Sequence, residues 1–150
     1  MAIFVINEWL PEDSSGVNGV QAQRDAFELL AMLVRSNHQI VVLDGTSFVD
    51  KFWKLCKSSN IAVTGIVKLY HLSLRQNLDR CRTLKPEEVA AIPPHLANET
   101  NADDHYLLET QLAVPGAILV TTDGALREAV IRAGYPCLLR EDFLDQYLRN

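Results

Sequence analysis

The chain of 150 residues has little of what punctuates or cross-links a fold: 3 Cys, 7 Gly, 6 Pro and 7% aromatic residues. Cys56, Cys81 and Cys137 are odd in number and far apart, with no Cys-x-x-Cys pair and no His at ligand spacing. That pattern excludes a disulfide framework and a zinc site. No stretch approaches the ~20 apolar residues of a membrane span. The opening residues lack the basic start and apolar run of a signal peptide, so a reducing cytoplasm is the expected location. Also absent are the Gly-x-Ser-x-Gly element of a hydrolase triad and the Lys-Ser/Thr ending of a P-loop; Gly16-Val17-Asn18-Gly19 is an ordinary loop.

What is present is a 48% apolar chain long enough for one domain with one sizeable core, so a single domain over 1–150 is expected. Ile3-Phe4-Val5-Ile6 and Ile40-Val41-Val42-Leu43 are short apolar runs that read as buried strands, ending at Asn7-Glu8 and Asp44-Gly45. Between them, a loop through Pro11 and Ser14-Ser15-Gly16 leads to a helix from Val20. Its apolar positions are Val20, Phe27, Leu30, Ala31 and Val34, and it stops near Ser36-Asn37. A second helix begins around Thr46-Ser47, with Phe48, Val49, Phe52, Leu55 and Cys56 on one face. A third carries Val63, Ile66, Val67, Tyr70 and Leu74, weakened by Gly65. The stretch 81–101, broken by Pro86, Pro93 and Pro94, has no readable period. Beyond it come a helix opening at Asp103, a strand over 117–121 and a helix over 125–133 closed by Gly134. A strand around Cys137-Leu138-Leu139 and a helix over 142–148 complete the chain.

Strands and helices in this rhythm call for long crossovers, hence a parallel sheet covered on both faces. The expected fold is a three-layer α/β/α domain with a central, mainly parallel sheet. In such a sheet the strand exits share one edge, where sites form. Asn7-Glu8, Asp44 and Asp123 stand at those exits.

Charge is unevenly spread. Lys51, Lys54, Lys57, Lys68, Arg75, Arg80, Arg82 and Lys85 face a single acid, Asp79, over 51–85, a local net of +7 in a chain of net −5. A basic segment beside an acidic end suits a protein that holds a polyanion on the first and does metal chemistry at the second. Solvated helix faces paired with acids elsewhere are the plainer alternative. Lys51, Lys54, Lys57 and Arg75 are the candidate nucleic-acid contacts; of the adjacent aromatics Phe52 and Trp53, Phe52 reads as core and Trp53 is open between core and base stacking.

The densest chemistry lies in 101–123. Asp103 and Asp104 open an apolar helix, and Asp123 ends a buried strand. One Asp there is an ordinary helix cap. Three converging carboxylates repel one another unless a cation neutralises them, and hard oxygen ligands suit Mg²⁺ or Mn²⁺.

The run Asp103-Asp104-His105-Tyr106-Leu107-Leu108-Glu109, followed by Leu119-Val120-Thr121-Thr122-Asp123 and Leu126, resembles the C-terminal half of a PIN domain. The likeness extends more weakly over nearly the whole chain. It implies a Mg²⁺- or Mn²⁺-dependent ribonuclease with RNA as substrate. Asp103 and Asp123 would be metal ligands, Asp50 a third acid and Asp104 a further catalytic candidate. Thr121 or Thr122 would orient a carboxylate. Partners of the family's kind include an inhibitor protein, as for a toxin held by an antitoxin, and a second copy in a homodimer. The chain departs from the pattern twice: Asn7 replaces the first-strand Asp, leaving Glu8 as the neighbouring candidate ligand, and Asp50 stands where a Glu is common. Asn7 therefore favours an alternative, a PIN-like RNA-binding or scaffold module without catalysis. A receiver-like or small ligand-binding doubly wound domain is the weakest reading. A receiver has its acid pair after the first strand and a Lys after the last, whereas this pair precedes the fourth helix and Arg140-Glu141 stand at the last strand's exit.

Overall fold

The computed structural model describes residues 1–149. Five strands form one all-parallel sheet: β1 (Ile3–Ile6), β2 (Gln39–Leu43), β3 (Cys81–Leu84), β4 (Ile118–Thr121) and β5 (Cys137–Leu139), in the order β3-β2-β1-β4-β5. The register places Phe4 beside both Ile40 and Ile118. The chain therefore builds outward from β1 to β3, then returns to the other side of β1 for β4 and β5. The strand order reverses between β1 and β4, the point where open α/β sheets leave a crevice at their C-terminal edge.

Strand side chains alternate between the faces, so each strand feeds two cores. Phe4, Ile6, Ile40, Val42 and Val120 pack on one face. They meet α1 (Trp9–Ser15), α2 (Val20–Arg35), α3 (Ser47–Leu55), α4 (Ile61–Lys68) and α8 (Arg140–Tyr147). Val5, Val41, Leu43 and Leu119 pack on the other. There they meet α5 (Pro94–Glu99), α6 (His105–Ala113) and α7 (Gly124–Arg132). The expected three-layer α/β/α fold is the observed one. Among the described residues, no helix is long and apolar enough to cross a membrane.

Four local readings need correction. The expected loop at Pro11 is helix α1: Pro11 lies in the first turn, where its missing N–H costs nothing, and Ser14 Oγ returns a hydrogen bond to the Leu10 carbonyl at 2.7 Å. Gly16, at φ 88°, then closes that helix in the left-handed region. Strand β3 falls in the stretch that had no period, because its two middle residues, Arg82 and Thr83, are exposed on an edge strand. In α2 the buried apolar positions are Ala26, Leu29, Leu30 and Leu33, whereas Val20 and Phe27 face outward. The third helix ends as a wide turn over 69–74, with the Arg75 N–H reaching the Tyr70 carbonyl at 2.7 Å.

Candidate metal centre

The crevice is built from the exits of β1 and β4 and the start of α6. The Asn7 N–H donates to the Val120 carbonyl at 2.9 Å, and the Trp9 indole N–H donates to the same oxygen at 3.1 Å. Thr121, fully buried at the end of β4, accepts from the Asn7 side-chain amide and from the Asp123 N–H, each at 3.1 Å. Thr121 thus joins the two strand exits through an amide and a backbone N–H, with no carboxylate among its contacts. Asp123 Oδ1 accepts from Ala125 N–H at 2.9 Å and Leu126 N–H at 3.2 Å, capping α7. The cap and the pocket share this residue: Asp123 also lines a cleft of about 170 Å³ together with Glu99, Thr100, Asn101 and Asp104.

Of the two adjacent acids, Asp104 is the one in the cleft. A single 3₁₀ turn over Ala102–Asp104 precedes α6, and Asn101 caps it by accepting the Asp103 N–H at 3.0 Å. Asp103 is left exposed, while Asp104 is half-buried. Burial first, and then the charges of Asp123, Asp103 and Glu8, push the Asp104 carboxyl above its ordinary range. Asp104 replaces Asp103 as the principal partner of Asp123. Asp103 contributes its charge from the rim.

Glu8 belongs to the same field but is already engaged. Its carboxylate meets Lys51 Nζ at 2.9 Å and accepts from the Tyr106 hydroxyl at 2.9 Å. Burial alone would raise its pKa; hydrogen bonds from Lys51, Tyr106 and Ser47 override that and hold it low. Lys51 bridges onward to Glu12, and these two carboxylates outweigh its partial burial to raise its own pKa. Asn7 is committed as well. Its Oδ1 accepts the Glu8 N–H at 2.7 Å while its Nδ2 donates to Thr121, so neither end of the amide is free.

Asp50 does not join this group. It is exposed in the first turn of α3, and its side chain makes no hydrogen bond or ion pair among the described residues. Ser47 and Lys51, four residues apart and so on one helical face, are the α3 residues that reach Glu8. Sequence reading missed Tyr106 and Ser47. Tyr106 sits two positions after Asp104, and its polar tip in an apolar run was the available signal. His105 lies beside the acids yet donates to the Ala97 carbonyl at 3.1 Å, tying α6 to α5.

Of the three carboxylates lining the cleft, Glu99 is paired with Arg132; Asp104 and Asp123, with Glu8 tethered nearby, suit a hard divalent ion. Mg²⁺ commonly takes one or two carboxylates and keeps several waters. The Asp104 carboxyl is raised first by burial and then by the negative charge of its acidic neighbours. Among the described residues, no group of three His, Cys, Asp or Glu side chains converges closely enough to form a complete cage. Asp104 and Asp123 fit the ion, with Glu8 as a neighbour that Lys51 would have to release. Comparison of the chain with protein-family models and with curated proteins finds no match in either.

Proposed function

We propose that this is a PIN-like, Mg²⁺- or Mn²⁺-dependent ribonuclease with its site in the cleft of Asp104 and Asp123. One observation carries the reading: an acid pair, unneutralised by any basic side chain in contact with it among the described residues, at the reversal point of a parallel sheet. Asp104 and Asp123 hold the ion, and Asp103 adds charge at the rim. When bound, the ion would supply charge to stabilise a phosphodiester undergoing hydrolysis. Thr121 fixes the backbone of Asp123, and Tyr106 with Ser47 orients Glu8. The exposed basic residues after α3 offer the polyanion its first contact.

A second reading, a PIN-like module that binds RNA without cutting it, is favoured by two features. Asn7 brings no charge, and Lys51 already neutralises Glu8. Location in the cytoplasm, an inhibitor protein of the antitoxin kind and self-association remain proposals drawn from the resemblance. Mn²⁺ titration by calorimetry, followed by incubation with single-stranded RNA, separates the two readings. The nuclease binds Mn²⁺ and cleaves, and Asp104→Asn does neither. Wild-type protein that binds RNA but no Mn²⁺ establishes the module instead.

A further inference from the structure

Trp53 projects from α3 and is 48% exposed, whereas Trp9 is buried. Its ring is not a stray apolar side chain, because it rests on a built support. His71 stacks against it at 4.2 Å between centroids and 29° between planes, and the Arg75 guanidinium lies 5.1 Å from the ring centre. His71 is fixed in turn by donating from Nε2 to the Phe52 carbonyl at 3.3 Å. A half-exposed indole contacted by a flat ring and a cation is a π surface held in place at low entropic cost.

The surroundings define what would occupy that surface. Of the eight basic residues over 51–85, Lys51 alone forms an ion pair among the described residues. Lys54 adjoins Trp53, Lys57 follows one turn later, and both are exposed, as is Lys68. Outside that stretch Arg132, Arg140 and Arg149 are matched with carboxylates, whereas Arg24, Arg35 and Arg127 form no ion pair among the described residues; what marks 51–85 is the clustering of its cations. Stacking surface plus unmatched cations is the chemistry that grips single-stranded nucleic acid, since a base inside a duplex has both faces covered by its stacked neighbours.

We propose that Trp53 is a stacking platform for an unpaired base of a single-stranded RNA whose phosphates lie on Lys54, Lys57 and Arg75. The inference rests on the ribonuclease reading for the identity of the polymer, but not for its residues. Two residues on from Lys51, Trp53 points about 200° around the helix, so the strand crosses α3 between platform and cleft. The substrate is then an unstructured segment, not a duplex.

The test uses the full chain, with EDTA present to prevent cleavage, and a labelled oligouridylate or a blunt duplex of equal length followed by anisotropy. The single strand is expected to bind more tightly than the duplex and to quench tryptophan emission. Trp53→Ala should weaken single-strand binding about tenfold, Trp53→Phe should largely restore it, and Lys54→Glu with Lys57→Glu should weaken both ligands. Circular dichroism confirms that each variant is folded. Equal affinity for strand and duplex, or unchanged binding by folded Trp53→Ala, overturns the platform. Asp104→Asn keeps the two ideas apart: intact stacking without cleavage by wild type removes only the nuclease, and cleavage with Trp53-independent binding removes only the platform.

Discussion

Asp13 and Asp25 are 3% and 6% exposed, and arginines meet both. Arg140 Nε lies 2.8 Å from Asp13, and Arg149 Nη2 lies 3.0 Å from Asp25. Asn18 and Gln21 add hydrogen bonds at 2.8 and 3.0 Å. Asp104 and Asp123, less buried, meet no such cation. The chain can thus neutralise crowded acids deeply where it needs to, using residues of α8 and the segment beyond it, and leaves another pair uncompensated at the sheet's reversal point. One acid group closes the structure from within. The other stays open to something from outside, which is the physical content of the metal proposal.

The contrast breaks most violently at Arg140. Arg140→Ala strands the buried Asp13 carboxylate, while Asp25 keeps Arg149, and should cost about 3 kcal/mol, read as a lowered urea midpoint. Loss within about 0.5 kcal/mol, typical of an ordinary surface change, would show that the paired group is no more structural than the open one. Next in size is the response to cation. Mn²⁺ at a hundred times its dissociation constant should stabilise wild type by about 2.7 kcal/mol, and Asp104→Asn or Asp123→Asn should forfeit most of that gain. An identical melting shift in wild type and both variants would move the ion elsewhere.

Capping comes third. Asp123→Ala should cost roughly 1 kcal/mol through loss of the α7 cap, while Asp123→Asn retains most of the cap and loses only the charge. If the two variants melt together, cap and charge are not separable. The fourth effect is a pH dependence of two signs. Asp104 has a folded pKa above its ordinary 3.8, so the native state binds that proton more tightly. Its charge therefore destabilises progressively as pH rises from below 3.8 through the raised native value. Glu8 has a folded pKa below 4.5; its stabilisation is present above 4.5 and disappears as pH falls through the native value. Stability of Asp104→Asn relative to wild type should thus rise with pH in this window, and that of Glu8→Gln should fall. Parallel curves would refute the assignment. The smallest effect is at Asn7. Asn7→Asp adds an anionic oxygen, but the Glu8 N–H already claims the position of Oδ1, so Mn²⁺ affinity should rise only slightly. A large gain would mean that the strand exit rearranges around the ion.

The sheet and its helical layers were legible because buried parallel strands appear as apolar runs, and Phe4 to Ile6 or Ile40 to Leu43 cannot easily be anything else. β3 was not legible, since Cys81-Arg82-Thr83-Leu84 buries only its ends. Sequence places acids at strand exits and helix starts but not the helical phase, and phase decides which of two neighbours faces the cleft. The 3₁₀ turn at 102–104 rotates Asp104 into the cleft and Asp103 out of it. Likewise α3 offers Ser47 and Lys51 to Glu8, leaving Asp50 in solvent. The Tyr106 contact to Glu8 joins positions 98 residues apart in the chain, which no local pattern contains.

Asp123 has one oxygen on the first amides of α7, and the far end of that helix carries Arg132, whose guanidinium lies 3.0 Å from Glu99. Glu99 closes α5, and it lines the same cleft as Asp123. Floor, helix and wall therefore form a ring that begins and ends at the cleft. Whatever occupies the cleft pulls on both ends of α7. Filling it should slow amide hydrogen exchange in the first turn of α7, where Ala125 and Leu126 line the cleft, and at the end of α5, making the two helix ends a gauge of occupancy.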